Sequence, residues 1–132
     1  VIDLDTVMPG LCAYDFGDAI RYGASTAAED ERDLNRLNLS LSLYRAYAEG
    51  YLSEVGNVLT GEELRSLPVG AKMMTLETGV RFLTDYLIGD VYFKVACPDH
   101  NLVRARAQLK LLEDMDANWE EMVSVIGELA GR

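Results

Sequence analysis

Apolar residues recur at steps of three and four over most of this chain, and this spacing constrains the fold more than any other feature. The longest such stripe consists of Ala105, Leu109, Leu112, Met115, Trp119, Met122, Ile126 and Leu129. It predicts one C-terminal helix of about 30 residues that kinks near Asp116. A second stripe, which predicts a helix over residues 38–55, consists of Leu39, Leu43, Tyr47 and Tyr51. The chain is therefore expected to be mainly α-helical.

Capping and turn residues divide the middle of the chain. Thr60 and Glu63 have the spacing of a capping box, in which each side chain bonds the backbone N–H of the other residue. Pro68 suits the first turn of a further helix that runs to about residue 88, and Gly89 fits the stop at its end. A loop is expected after Gly89.

The N-terminal quarter of the chain is expected to contain a short strand, one helix and a polar connector. That helix is predicted over residues 14–24, with Asp15 as its N-cap, where a carboxylate complements the helix dipole. The polar segment 27–36 is predicted to be a connector. Residues 2–5 are the one convincing strand, ended by a Pro-Gly turn. A lone strand leaves its backbone groups unpaired, so we expect its partner to come from another copy or from sequence upstream of residue 1.

Length and charge restrict the class of protein. The 132 residues form one domain, 1–132, by length. The net formal charge of −10 argues against binding to nucleic acid or to anionic membranes, which requires basic patches. No run of about 18 apolar residues is present, so no membrane span is expected. Cys12 and Cys97 have no metal-ligand spacing, and without a signal segment they predict reduced thiols in a cytoplasmic protein.

Two pairs of carboxylates mark the start of the chain, Asp3 with Asp5 and Asp15 with Asp18. The first pair ends the predicted strand, and in an extended strand both side chains lie on one face. Acidic groups at a strand end are how many phosphate-handling enzymes hold a divalent cation. Asp3 and Asp5 are therefore both candidate metal ligands.

One interpretation of this segment is a phosphatase. The residues Asp3-Leu-Asp5-Thr-Val7 resemble the nucleophile motif of haloacid-dehalogenase-type phosphatases. That resemblance implies that Asp3 attacks phosphorus, that Asp5 acts as acid and base, and that Mg²⁺ neutralises the phosphate. The fold requires alternating strands and helices, which the helical pattern of this chain does not offer.

A longer resemblance spans essentially the whole chain. The segments that carry it are 1–10, 14–23, Met74-Thr-Leu-Glu77, Arg81-Phe-Leu-Thr-Asp85-Tyr-Leu-x-Gly-Asp-x-Tyr-Phe93 and Asn101-Leu-x-Arg104. They resemble the aminoglycoside phosphotransferase and choline-kinase-like family, most closely its N-acetylhexosamine 1-kinase-like members. The resemblance implies the C-terminal helical subdomain of a protein-kinase-like phosphotransferase fold, with one short N-terminal β-strand. It also implies an ATP-dependent kinase acting on a sugar hydroxyl.

The resemblance assigns roles to the acidic residues. Asp3 would be the ligand that holds Mg²⁺ against the β- and γ-phosphates of ATP, and Asp5 could assist the metal. Asp15 and Asp18 would be structural, so the literal tripeptide Asp15-Phe-Gly17 is not the metal motif. Mg²⁺ and ATP are cofactors of the complete enzyme, and neither is expected to bind this chain tightly.

Arg81, Tyr92 and Tyr22 would line the sugar pocket, with Asp85 and Asp90 as weaker candidates. A guanidinium offers paired donors to hydroxyl or carbonyl oxygens, and tyrosine rings can pack on a sugar. Alternatives remain open for each. Arg81 could be an ion-pair partner of Glu77 or Asp85, and both tyrosines could be core aromatics. His100, the only histidine, is expected in a loop or at a helix start.

Some family motifs are absent from the sequence. The catalytic loop, His-Gly-Asp followed by Asn, and the glycine-rich nucleotide lobe with its lysine lie upstream of the Ile-Asp strand in that family. We therefore expect no catalytic residue in this chain, and no phosphate transfer by the chain alone. The surface left by the missing lobe should be apolar and should favour a homo-oligomer. An alternative is a stand-alone helical interaction or oligomerisation module.

Overall fold

The structure, a computed structural model, describes residues 7–131. Over this range the chain forms five α-helices: α1 Cys12–Gly23, α2 Leu41–Val55, α3 Gly61–Leu87, α4 His100–Ala117 and α5 Trp119–Ala130. A short 3₁₀ helix, Leu34–Arg36, lies in the connector before α2. The β pairing within the described range is one isolated antiparallel bridge between Ser25 and Leu39. The expected mainly helical fold is confirmed, and the strand predicted at 2–5 lies outside the described residues.

Helix α3 is the centre of the bundle and packs against α1, α4 and α5. Its contact with α1 is unusually close, because Gly17 of α1 and Gly70 of α3 are both buried where the helices cross. A Cβ added at Gly17 would collide with the backbone carbonyl of Gly70, and one added at Gly70 with that of Ala13. The two backbones therefore touch, which only glycine permits.

The core lies on both sides of this crossing and takes side chains from all five helices. Its largest fully buried members include Phe16, Ile20, Tyr44, Leu67, Leu111, Met115, Met122 and Val125. The Tyr44 hydroxyl donates a hydrogen bond to the carbonyl oxygen of Met122, 3.1 Å away, so this buried phenol has a hydrogen-bond partner. Burial raises the pKa of that phenol.

The start of α3 is as predicted, whereas the predicted break at Pro68 is wrong. The Thr60 hydroxyl accepts from the Glu63 N–H at 3.3 Å, and the Glu63 carboxylate accepts from the Thr60 N–H at 2.7 Å. One continuous helix then runs through Pro68 to Leu87. An internal proline costs about 3 kcal/mol, through one lost backbone hydrogen bond and a clash with the carbonyl four residues earlier. Burial of Pro68 together with Leu67 and Ala71 in the core offsets this cost.

The predicted face of α2 is wrong in its centre. Tyr44 and Ala48 are fully buried, whereas Leu43 is 49% exposed and Tyr47 39% exposed. A strict step of four residues overshoots a helical turn by about 40° each time, so such a stripe rotates away from the core. Helix α2 begins at Leu41, within the predicted range 38–55. The Ser40 hydroxyl caps it by accepting a hydrogen bond from the Leu43 N–H.

The predicted single C-terminal helix is two helices that meet at Asn118. The Asn118 side chain donates to the carbonyl oxygen of Asp114 at 2.8 Å, a local bond that competes with helix continuation. The break lies two residues beyond the kink predicted at Asp116. Met115 and Met122 of the predicted stripe are buried, but Leu109 is 42% exposed.

Helix α1 begins two residues earlier than predicted. Its N-cap is Leu11, so the prediction that Asp15 caps the helix is wrong. Asp15 lies in the exposed first turn, where its charge still complements the helix dipole. None of the helices between residues 7 and 131 is long and apolar enough to cross a membrane.

Replacing Gly70 by alanine tests the helix crossing. Gly70→Ala is expected to lower the free energy of unfolding by about 2 to 3 kcal/mol, because the added methyl overlaps the Ala13 carbonyl and separates α1 from α3. Urea unfolding followed by Trp119 fluorescence measures the change. The matched control is Gly50→Ala in the exposed interior of α2, where a Cβ meets no atom within 4 Å; it should stabilise by about 0.5 to 1 kcal/mol. Equal stability of the two variants would contradict the crossing.

Candidate functional site

A buried carboxylate at the end of α3 holds the following loop in place. Asp85 is 3% exposed and accepts hydrogen bonds from three successive backbone N–H groups of the loop. The donors are Val91 at 3.0 Å, Tyr92 at 2.8 Å and Phe93 at 2.9 Å. The Asn101 side chain of α4 adds a fourth, 2.9 Å from the same carboxylate. Asp85 therefore positions the loop, and its oxygens are occupied by the loop's own donors.

Two residues of the turn that follows α3 have a left-handed backbone conformation. Gly89 has φ 97° and Asp90 has φ 57°, so Gly89 ends the helix as predicted. The Asp90 carboxylate accepts from the Asn101 side chain at 2.9 Å, and its backbone N–H donates to the Asp85 carbonyl at 2.8 Å. Both weaker sugar-pocket candidates, Asp85 and Asp90, thus lie in the loop's own hydrogen-bond network.

The anchored loop places aromatic rings against Arg81. The Arg81 guanidinium lies 5.5 Å from the ring centre of Tyr92 and 5.3 Å from that of Phe93, within cation–π range. Tyr92 nevertheless remains 74% exposed, so one face of its ring is open to solvent. Arg81 also lies 3.7 Å from the Glu77 carboxylate, a half-exposed pair of little energetic weight. Asp85, the other suggested partner of Arg81, is engaged by the loop.

Arg81 separates a polar cavity from an apolar hollow. The hollow, of about 310 Å³, is lined mainly by Val80, Thr84, Ile88, Tyr92 and Phe93. The polar cavity, of about 470 Å³, lies between α1, α3 and α4. A second polar cavity of about 410 Å³ adjoins it, and the two share Arg21, Glu29 and Arg104. We call these two polar cavities together the arginine cleft.

The structure brings some predicted site residues together and leaves others apart. Arg81 and Tyr92 share the hollow. Asp18 lines the wider part of the arginine cleft, and Tyr22 the narrower part. Tyr22 is 73% exposed, so the alternative that Tyr22 and Tyr92 are core aromatics is wrong. Asp15 lies on the exposed side of α1, beside residues 7–14.

The charged pairs within the arginine cleft were not predicted. Arg21 Nε donates to Asp18 Oδ1 at 2.9 Å, and Arg21 Nη1 donates to Glu29 Oε1 at 2.7 Å. The spacing of Asp18 and Arg21 on one helix face could have indicated the first pair. No sequence signal indicates the second, because Glu29 reaches back from the connector. Burial lowers the pKa of Arg21, but the bonds to both carboxylates outweigh it, and the pKa is raised.

His100 is the first residue of α4, at a helix start as expected. Its Nδ1 accepts from the Ala96 N–H at 3.0 Å, and its Nε2 lies 3.1 Å from Asp30 Oδ2. These contacts tie the connector to the loop before α4. Arg32 and Asp99 make a second tie through two 2.8 Å bonds.

Both cysteines are free thiols. Cys97 donates to the carboxylate of Asp99 at 3.3 Å and accepts from Arg32 at 3.4 Å. The predicted metal residues Asp3 and Asp5 lie outside the described residues. Within the described part of the chain, no group of three histidine, cysteine or acidic residues could hold a metal ion.

No model of a known protein family matches the chain.

The loop anchor predicts a pH dependence of stability. Burial tends to raise the pKa of Asp85, but the four hydrogen bonds prevail and the pKa lies below its ordinary value of 3.8. The anchor's contribution is therefore complete above pH 3.8 and is lost as the pH falls through the lowered pKa. Hydrogen bonds from Thr60 lower the pKa of Glu63 in the same direction. Near neutral pH, Asp85 and Glu63 should therefore cause no change of the thermal unfolding midpoint with pH. In acid, the midpoint should fall as the two carboxylates are protonated.

Asp85→Asn removes this titration, so the unfolding midpoint of the variant should fall less steeply in acid than that of the parent chain. Circular dichroism measures the midpoint from neutral pH to about pH 3, and the acid part of this plot is called the acid limb. The control is Glu113→Gln on the exposed side of α4, which should leave the acid limb unchanged. An acid limb that is the same in both variants would show that Asp85 does not carry the dependence.

Proposed function

We propose that this chain is the C-terminal helical subdomain of a protein-kinase-like phosphotransferase that phosphorylates a hydroxyl group of an N-acetylhexosamine-like sugar. The observation that carries the proposal is the pairing of Arg81 with an exposed Tyr92 ring beside a hollow. The mainly helical fold agrees with such a subdomain. The resemblance of the segment 81–93 to the sugar-kinase subgroup supplies the substrate class.

The chemistry of this pair suits a sugar. A pyranose ring has an apolar face that can pack on the open face of Tyr92. Hydroxyl or N-acetyl oxygens that extend past the edge of the Tyr92 ring would then accept hydrogen bonds from Arg81, which lies over the other face. Because Asp85 fixes the backbone of the loop through three N–H groups, the ring is held in place before the sugar arrives. Such preorganisation lowers the entropy lost on binding. Tyr22 lines the narrower part of the arginine cleft and does not share the hollow with Arg81 and Tyr92.

Phosphate transfer requires groups beyond the described residues. Asp3 would hold Mg²⁺, which neutralises charge on the transferring phosphoryl group of ATP, and Asp5 is the second candidate. The general base and the nucleotide-binding lobe would come from outside the 132 residues. We expect this chain alone to consume no ATP in the presence of N-acetylglucosamine.

A second candidate function is that of an interaction or oligomerisation module. Exposed apolar side chains at the start of the described range favour it: Val7 is 77%, Met8 68% and Leu11 62% exposed. Such a surface would pair with another copy of the chain or with another protein. The phosphatase interpretation has less support, because its fold needs a parallel sheet and residues 7–131 are helical.

Sugar binding by the chain tests the first proposal. N-acetylglucosamine should bind saturably in an NMR titration, and Arg81→Gln should weaken the affinity about tenfold, the cost of losing one or two hydrogen bonds. Arg65→Gln is the matched control, because Arg65 is an exposed arginine on the same helix, paired with Glu62 and far from the hollow in the chain.

Loss of affinity in the Arg65 variant alone, or no saturable binding by the parent chain, would contradict the sugar site. The module interpretation instead predicts self-association in light scattering that increases with concentration and does not respond to the sugar.

A further inference from the structure

One carboxylate lies between two partly buried guanidinium groups in the arginine cleft. Glu29 Oε1 is 2.7 Å from Arg21 Nη1, and Glu29 Oε2 is 4.0 Å from Arg104 Nε. Arg21 belongs to α1 and Arg104 to α4, so the helices hold the two cations in fixed positions. Glu29 belongs to the irregular connector between α1 and α2.

The bonding of Arg104 is incomplete on the side that faces Glu29. Arg104 Nη1 donates to the Lys94 carbonyl and to Asn101 Oδ1, both at 3.2 Å, and the guanidinium lies 5.3 Å from the Phe82 ring centre. Arg104 Nε is buried, and no acceptor among the described residues lies within hydrogen-bond distance. A buried donor without an acceptor is unfavourable. An oxygen that came closer than Glu29 Oε2 would relieve it.

The cleft concentrates positive charge in an acidic protein. Four of the chain's twelve lysines and arginines line its wider cavity, although the net formal charge is −10. They are Arg21, Arg81, Lys94 and Arg104. Three acidic residues share this lining, and Glu29 is the one between the two arginines. Asp30 lines the narrower cavity, so the whole cleft has four basic and four acidic side chains. Moving the Glu29 carboxylate out would leave an excess of one positive charge.

Glu29 is able to leave without a helix moving. Its side chain is 28% exposed, and its neighbours Ala28 and Asp30 are exposed connector residues. Asp30, which also lines the narrower cavity, is held by His100 at 3.1 Å and does not contact the arginines through any bond in the structure described here. Glu29 thus occupies the anion position as a tethered side chain.

We propose that the arginine cleft is a phosphate site, in which a phosphate group binds between Arg21 and Arg104 by displacing the Glu29 carboxylate. The site is inferred from the cleft alone and does not depend on the proposed sugar kinase activity.

The chemistry favours phosphate over a carboxylate ligand. A side chain on a short tether competes at an effective concentration of millimolar order, so a free monocarboxylate of equal charge gains little by replacing it. A phosphate monoester carries about −1.5 to −2 charges and three acceptor oxygens at neutral pH. It can therefore engage Arg21 and Arg104 Nε together, with charge-assisted bonds from both guanidinium groups. The adjoining cavity of about 410 Å³ leaves room for the rest of an ester.

Inorganic phosphate is the probe that tests the site. In a calorimetric titration at constant low ionic strength, Glu29→Gln should bind phosphate about tenfold more tightly than the parent chain, because the tethered competitor has lost its charge. Glu31→Gln makes the same charge change on the same connector, where Glu31 pairs with Arg36 instead. An equal gain of phosphate affinity in both variants would show that the effect comes from net charge alone, and it would overturn the proposal.

Arg104→Gln in the Glu29→Gln background should abolish the gain, whereas Arg106→Gln, an exposed arginine two residues along α4, should retain it. Retained binding without Arg104 would overturn the site. Should the variants fail to fold by circular dichroism, the parent chain still decides. Its Arg104 Nε–H resonance should shift saturably with phosphate, and a resonance that does not move rules the site out.

Two phosphate carriers distinguish the source of the group. A sugar phosphate and a nucleoside diphosphate are titrated into the Glu29→Gln variant, and the carrier that binds more tightly than inorganic phosphate identifies the class of ligand. Either result supports the site. Binding of inorganic phosphate alone would support the site and exclude these esters as its ligands, whereas failure of all three phosphates to bind would overturn the proposal.

Discussion

The contact between Gly17 and Gly70 is the constraint on which the rest of the structure depends. It allows the backbones of α1 and α3 to touch, and any side chain at either position would force the helices apart. Because α1 lies so close to α3, Arg21 near its C-terminal end reaches Gln108 on α4, 3.5 Å away. The arginine cleft is therefore a consequence of how two glycines pack, although neither glycine lines it.

The second constraint is the carboxylate of Asp85, which organises the other half of the site. A buried charge is expensive unless it is fully bonded, and here three backbone N–H groups and an amide meet that need. The bonding satisfies Asp85 and, with the same atoms, fixes the loop that carries Tyr92. Stability and site geometry are thus coupled in this loop.

Local signals in the sequence predicted local structure well. The capping box at Thr60, the stop at Gly89 and the helical spacing of α5 each depend on residues within one or two turns, and the structure has all three. The predicted break at Pro68 failed because tertiary packing prevailed over a local preference. Pro68 remains inside a helix because its neighbours are buried.

The candidate site likewise has residues that the sequence indicated and residues that it did not. The resemblance of the segment 81–93 indicated Arg81 and Tyr92, which lie on adjacent elements and meet in the structure. The cluster of Arg21, Glu29 and Arg104 joins α1, the connector and α4, and such long-range pairs leave no periodic or spacing signal in one sequence. Their detection required the packing of α1 on α3.

The central claim is that Arg81 and Tyr92 form a sugar-binding surface, and intermolecular nuclear Overhauser effects test it most directly. With N-acetylglucosamine added to the isotope-labelled chain, the account predicts cross-peaks from sugar ring protons to the Tyr92 ring and to the Arg81 side chain. Cross-peaks confined to other residues, or their absence under conditions where the sugar is shown to be bound, would contradict it.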